Sequence, residues 1–302
     1  MLLREKERVT LKTLIETSLQ KTLPLNNKII LISDFFIDDF IGGAALNDEE
    51  IYSLFSVSHD IQKVKSRYLY EGFILENVES LFIISNFFGI SPHVKKLLQE
   101  KCKYILYCHD YKFVSHTNPA VFPEFKVPPG QLINVEFYQE ASKIICQSGF
   151  QKDIYDRNLN VPEKTINFSG NLWSDSHFEL LEELRTLPKN DKYAVINSSY
   201  PQKGVKEAVR YCGQNRFNFD IIEDKNYESF LRKLAQYSKL VFFPNTPETF
   251  SRVVIEAKMM GLEIISNDLI GALREEWNTL NGNELAEAMK NKKRGLVDLL
   301  LK

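Results

Sequence analysis

Strand-length apolar runs separated by helical patterns predict an α/β protein built from two doubly wound parallel-sheet domains in tandem. Three observations carry this. The runs Lys28–Ser33 (KIILIS), Ser80–Ser85 (SLFIIS), Tyr104–His109 (YILYCH), Lys143–Gln147 (KIICQ) and Thr165–Ser169 (TINFS) are mostly apolar throughout, as strands covered on both faces must be. A second series follows at Tyr193–Ser198, Phe217–Ile222, Lys239–Phe243 and Glu263–Ser266. The length, 302 residues, is enough for two domains of about 150 residues each.

Helices fill the gaps between strands. In the first half, Pro92–Lys101 and Gln151–Arg157 have helical spacing, and Gly42-Gly43 lead from the first strand into a further helical stretch. Four prolines, Pro119, Pro123, Pro128 and Pro129, forbid regular structure after the His109 strand, so a loop is expected there. The segment Gly170–Leu187 passes from a polar stretch into an acidic helical run and marks the hinge, giving domains at 1–170 and 171–302. In the second half, Lys203–Cys212, Tyr227–Tyr237 and Ser251–Met260 are the expected helices, and the last helix of the chain is a candidate to cross back to the first domain. In such sheets ligands bind beyond the carboxyl ends of the strands, which directs attention to the residues after each run.

Composition narrows the function. With 38 basic and 40 acidic residues the formal charge is -2, which argues against a nucleic-acid coat. The charge is uneven: residues 1–28 hold six basic and three acidic side chains, and residues 290–302 hold five and one. Leu11, Leu14, Ile15, Leu19 and Leu23 lie at helical spacing, and Lys290, Lys292, Lys293 and Arg294 cluster near the other end, so peripheral contact with an anionic membrane is one reading and ordinary packing the other. Five charges in the first eight residues do not fit a secretory signal, and no apolar run approaches a membrane span, so a cytoplasmic location is expected. Cys102, Cys108, Cys146 and Cys212 form no C-x-x-C pair and read as reduced, mostly buried thiols.

The most informative stretch is Phe243–Asn267, FPNTPETFSRVVIEAKMMGLEIISN, a strand end, a Pro-bounded loop, a helix stopped by Gly261 and another strand. Glu248 and Glu256 are separated by seven residues, and the amides of Thr249, Phe250, Ser251 and Arg252 sit where a helix N-terminus attracts an anion. This pattern resembles the family 4 retaining glycosyltransferases of GT-B architecture, which have two Rossmann-like domains facing a cleft. The resemblance implies that Glu248 touches the donor sugar, Glu256 the ribose, and the Ser251 and Arg252 amides the diphosphate. It implies further that His109 lies beside the donor sugar, that Gly42 and Gly43 bring backbone near donor or acceptor, and that Gly271 in the loop DLIGALRE turns amides toward the sugar. Lys203 falls where the family has its phosphate-binding lysine, whereas the family's arginine five residues earlier is Ser198 here. Arg252 is a candidate to supply the missing charge. The stretch INFSGNLWSDSHF, Ile166–Phe178, is similar to the family's interdomain segment.

The activity implied is metal-independent transfer of a sugar from a nucleotide-diphosphate sugar to a glycan or small-molecule acceptor, with retention of configuration and no other cofactor. No Asp-x-Asp motif is present, so cationic side chains and helix amides take the part a metal plays elsewhere. Two alternatives stay open: a degenerate GT-B protein that binds nucleotide or glycan without transfer, which Ser198 favours, and a sugar-nucleotide epimerase of the same architecture.

Overall fold

The computed structural model describes residues 27–301. The stripe Leu11–Leu23 lies outside them. Ten strands and ten helices of five residues or more alternate along the described chain. In order they are β1 (Lys28–Ser33), α1 (Gly43–Phe55), β2 (Asp60–Lys65), α2 (Glu71–Glu76), β3 (Leu81–Ile84), α3 (Pro92–Lys101), β4 (Lys103–Cys108), α4 (Val135–Gln139), β5 (Lys143–Cys146), α5 (Gly149–Leu159) and β6 (Thr165–Asn167). There follow α6 (Asp175–Arg185), β7 (Asn190–Ile196), α7 (Val205–Gln214), β8 (Phe219–Ile222), α8 (Tyr227–Leu234), β9 (Tyr237–Phe242), α9 (Arg252–Met259), β10 (Glu263–Ser266) and α10 (Gly282–Leu301).

Two sheets result, one of six strands in the order β2-β1-β3-β4-β5-β6 and one of four in the order β10-β9-β7-β8. In the first, β1 pairs in parallel with β2 and β3, and β3 with β4. In the second, β7 pairs in parallel with β8 and β9, and β9 with β10. Both orders turn back on themselves after the first strand, the arrangement of a doubly wound fold.

The chain resolves into two compact units, and each takes residues from either side of position 170. One comprises the described residues through Tyr107, with Glu136–Ile144 and the residues from Arg294 onward; the other comprises Cys108–Val135 and Ile145–Lys293. In the first, Ile29–Ile32 and Phe82–Ile84 are buried along with Ile51 and Phe55 of α1 and Leu98 of α3. Phe137 of α4 stacks on Tyr104 with ring centroids 4.9 Å apart, and the Tyr104 hydroxyl donates to the Phe137 carbonyl at 2.7 Å. Lys143 donates to the Leu299 carbonyl of α10 at 2.8 Å.

The second unit shows why its strands are apolar without alternation. Ala194, Leu240 and Phe242 pack in one core with Leu181 of α6, Leu231 of α8, Val254 and Ile255 of α9, and Leu285 and Met289 of α10. Val195 and Val241, one residue out of phase, pack on the other face with Ala208 and Cys212 of α7. Both faces are covered, so both must be apolar.

Several expectations shift by a few residues for local reasons. The helix expected from Lys203 begins at Val205, because Pro201–Lys203 forms a 3-10 turn and Gly204 follows at φ +64. The proline-rich stretch folds as three 3-10 turns begun by Pro119, Pro123 and Pro129. Among the described residues no helix is long and apolar enough to cross a membrane.

Candidate functional site

The second sheet reverses its order between β7 and β9, and the loops at the carboxyl ends of these two strands are where sheets of this kind bind ligands. The chain fastens the two loops to each other. Asn245 N donates to the Gln202 carbonyl at 2.8 Å, and its Nδ2 to the Pro201 carbonyl at 3.2 Å. Gly204 is required at the crossing: at φ +64, any Cβ there would come within 1.6 Å of the Phe243 carbonyl oxygen. A third loop closes alongside. Glu248 N donates to Leu269 O at 2.7 Å, and Gly271 N donates to Glu248 O at 2.9 Å.

This scaffold brings Lys203 and Glu248 together. The Lys203 ammonium donates to Glu248 Oε1 at 2.7 Å, with the lysine side chain 43% exposed and the glutamate 17%. The lysine thus offers a positive group to the outside while the carboxylate is held below it. Ser198 sits on the same loop as Lys203, where its hydroxyl accepts from Tyr200 N at 3.2 Å.

Next along the loop, Thr249 donates from Oγ1 to the His109 carbonyl at 3.0 Å, and its own carbonyl accepts from Ser148 Oγ at 2.6 Å. Gly271 is locked against this pair, since a Cβ would meet Ser148 Oγ at 2.2 Å and the Thr249 carbonyl at 2.5 Å. Phe250 is buried between Trp173 and Trp277, with centroid distances of 6.2 and 5.8 Å. These contacts fix the entry to α9 in an unusual conformation. Ser251 has φ 77, a strained position for a residue with a side chain, and it provides no side-chain cap. Its hydroxyl is buried without a hydrogen-bond partner, as is that of Tyr111. The amides at the start of α9 have no carbonyl partner inside the helix, and the helix dipole adds positive potential at that end. An anionic group is the natural complement.

Arg252 and Glu256 lie one helical turn apart and face inward. The Arg252 guanidinium donates to Asn171 Oδ1 at 3.1 Å and to the Leu172 carbonyl, lies 4.6 Å from the centre of the Trp173 ring, and pairs with Glu256 at 3.3 Å. Glu256 is fully buried. It accepts from Trp173 Nε1 at 2.7 Å and from the Tyr227 hydroxyl at 2.5 Å on each oxygen, while His177 Nε2 lies 3.3 Å from Oε1. Burial alone would push this carboxyl up, but His177, the Arg252 guanidinium and the Tyr227 hydroxyl outweigh it and take it down to about 2. The guanidinium is thus engaged inside the domain, and the charge that faces out beside the Ser198 loop is that of Lys203 alone among the residues proposed from sequence.

His109 directly follows β4, and its Nδ1 lies 2.8 Å from Gln147 Nε2. Of the residues inferred from sequence, His109, Ser198, Lys203, Glu248–Arg252, Glu256 and Gly271 thus all belong to one unit. Gly42 and Gly43 belong to the other. Gly42 caps α1 at its N-terminus in extended conformation, and Gly43 is the first residue of the helix. Of the basic run near the chain end, Lys290 pairs with Glu287 at 2.6 Å and Lys293 donates to the Trp173 carbonyl at 2.9 Å. Residues that sequence reasoning did not single out are Gln147, Ser148, Asn171, Trp173, His177 and Tyr227. The available signal was polar side chains at the end of a buried strand, Gln147-Ser148, and within the polar segment Asn171–His177.

No protein-family model matches the chain, and no curated protein matches its sequence. Solved structures do. An α,α-trehalose-phosphate synthase (UDP-forming) from Burkholderia vietnamiensis is similar at a TM-score of 0.52 and 9% identity, over 90% of this chain and 95% of that one. The α,α-trehalose 6-phosphate synthase of Burkholderia multivorans gives 0.51 and 9%, over 90% and 94%. Anabaena Alr3699/HepE in complex with UDP and glucose gives 0.48 and 14%, over 90% of each chain. Likeness at such identities concerns the fold, and the fold is the α/β architecture of GT-B glycosyltransferases.

Proposed function

We propose that the chain is a retaining glycosyltransferase that moves a sugar from a nucleotide-diphosphate sugar to an acceptor hydroxyl, in the synthesis of a glycan or surface polysaccharide. The observation that carries the reading is the Lys203–Glu248 pair at the β7/β9 switch point, beside the uncapped and strained N-terminus of α9. A diphosphate fits there because it needs a cation and unpaired amides together. In the transfer, the bond from the anomeric carbon to the phosphate oxygen breaks, with its electrons passing to the phosphate. The acceptor oxygen attacks from the same face, and its proton goes to the departing phosphate. Lys203 neutralises the charge that builds on that group, and Glu248 orients the sugar and the ammonium. Residues 171–302 supply most of the donor contacts in this reading, with His109 added from the first half. Residues 1–170 serve the acceptor. Phe35, Phe40, Tyr68 and Phe88 are exposed on the loops after β1, β2 and β3, which Asp34 ties together by accepting from Ser66 Oγ, Phe88 N and Gly89 N. Exposed apolar rings interleaved with carboxylate and amide groups suit the faces and hydroxyls of a sugar.

The test is release of nucleoside diphosphate from UDP-, GDP- and ADP-sugars by the purified chain, with and without glycan acceptors. The fold shared with UDP-forming synthases puts UDP-sugars first. Lys203→Ala should lower kcat by about 100-fold, on the scale of losing one charged contact to the transition state. Turnover of no donor, or equal turnover by Lys203→Ala, overturns the reading.

One observation favours a second reading. Glu256, the residue the family resemblance assigns to ribose, has its oxygens taken by Trp173, Tyr227 and Arg252, and Ser198 stands in place of an arginine. A protein that binds a nucleotide or glycan without transfer has these features, and it predicts saturable binding with no release of product.

A further inference from the structure

A line of buried polar side chains runs from the core ion pair to the ring of His109, and its polarity can be fixed one bond at a time. Arg252 can only donate, and its Nη1 lies 3.1 Å from Asn171 Oδ1. The amide nitrogen of Leu172 can also only donate, and it lies 2.8 Å from the same oxygen. The Asn171 side chain therefore has its oxygen on this side, and its Nδ2 donates to Gln147 Oε1 at 2.8 Å. Gln147 is constrained independently from its other end. Its Nε2 lies 2.9 Å from the Cys108 carbonyl, which can only accept. Neither amide can be turned over without setting oxygen against oxygen or nitrogen against nitrogen. Gln147 and Asn171 are 2% and 3% exposed, so water does not relieve such a mismatch. The second hydrogen of Gln147 Nε2 then points along the 2.8 Å contact to His109 Nδ1. An amide nitrogen has no lone pair to accept with, so Nδ1 must be the bare nitrogen of the ring.

We propose that Arg252, Asn171 and Gln147 are positioning residues that set the tautomer of His109, with Nδ1 as the acceptor and Nε2 carrying the proton. The ring then presents an N–H donor on its Nε2 edge and cannot act as a base there. A ligand oxygen that meets this edge accepts, which fits a sugar hydroxyl or a phosphate oxygen. It also links the two ends of the site, because the Arg252 that pairs with Glu256 is the fixed point from which the order of donors is read. The tautomer follows from hydrogen-bond geometry alone, and the glycosyltransferase reading gives it its use.

Two-bond proton–nitrogen correlation spectra of protein labelled with 15N-histidine read the tautomer directly, with His109 assigned from the signal lost in His109→Gln. The expected result at a pH where the ring is neutral is a protonated Nε2 and an unprotonated Nδ1. In Gln147→Glu, with an ionised carboxylate in place of the amide, Asn171 keeps its partner and the second oxygen faces both the Cys108 carbonyl and Nδ1; the contact with the carbonyl costs stability, and accepting from the ring is the one bond left to that oxygen, so Nδ1 should become protonated. Unchanged nitrogen shifts in that variant would overturn the proposal. A wild-type spectrum with the proton on Nδ1 would overturn it without any variant, so the test does not depend on Gln147→Glu folding. The spectrum also separates this proposal from the previous one, since it needs neither donor nor turnover. Where turnover is observed, Gln147→Glu should raise the donor KM more than it lowers kcat.

Discussion

At the scale of single residues, Glu256 shows how a charge is kept in a fully buried position. Removing a carboxylate from water is costly, and the structure compensates with donors from Trp173 and Tyr227 and a guanidinium at 3.3 Å. Its carboxyl is held at about 2 in the folded chain, below the ordinary value of 4.5. A depressed folded value gives stability that is fully present above the unfolded value and is lost as pH falls through the folded one. The difference corresponds to roughly 3 kcal/mol at neutral pH. Glu256→Gln should therefore lose about that much in urea denaturation at pH 7, and the gap from wild type should shrink by about half at pH 3. A gap independent of pH would show that packing alone is responsible. The sequence marks Glu256 by its spacing from Glu248, and Arg252 lies one helical turn before it, but its other partners, Trp173, His177 of α6 and Tyr227 of α8, are distant in the chain, and no spacing rule connects them.

At the scale of elements, the site is set by backbone as much as by side chains. Gly204 caps the start of α7 in a left-handed conformation and lets the end of β9 pass directly over it. Gly213 lies near the other end of the same helix with nothing within 4 Å of where a Cβ would be. The same substitution should thus have opposite effects. Gly204→Ala should cost more than about 2 kcal/mol, because both φ and the Phe243 carbonyl oppose it, and should separate Lys203 from Glu248. Gly213→Ala should add up to about 1 kcal/mol through helix propensity. Denaturant midpoints for the two variants check both signs, and equal midpoints would refute the argument from space. The elements themselves were largely legible because strands covered on both faces have nowhere to place polar residues. β2 (DIQKVK) was not, since an edge strand is covered less completely and its sequence alternates between polar and apolar. Helix ends were displaced where Pro201 and Gly204 impose their own turn.

At the scale of the whole molecule, the described chain resolves into two compact units, with Cys108–Val135 grouped with Ile145–Lys293 and Glu136–Ile144 with the first strands. Runs of hydrophobicity report which segments are strands but not which unit each joins, because membership depends on contacts between distant segments. The assignment matters for where a donor acts. His109, Ser148 and Thr249 form one hydrogen-bonded cluster within a single unit, next to the loop that holds Glu248 and Gly271. In the proposed function a nucleotide sugar is held by Lys203, Glu248 and the start of α9, and so acts first on that unit. At 100 times its dissociation constant it should stabilise the fold by about 2.7 kcal/mol. Hydrogen exchange should show the added protection concentrated at residues 197–204, 243–252 and 268–271, with β1 and β3 little changed. Protection confined to the amides of β1, β3 and the Gly42-Gly43 turn would place the donor on the other unit and overturn the roles given to Lys203 and Glu248. That outcome would leave the tautomer of His109 untouched, since the bonds that fix it are made within the protein.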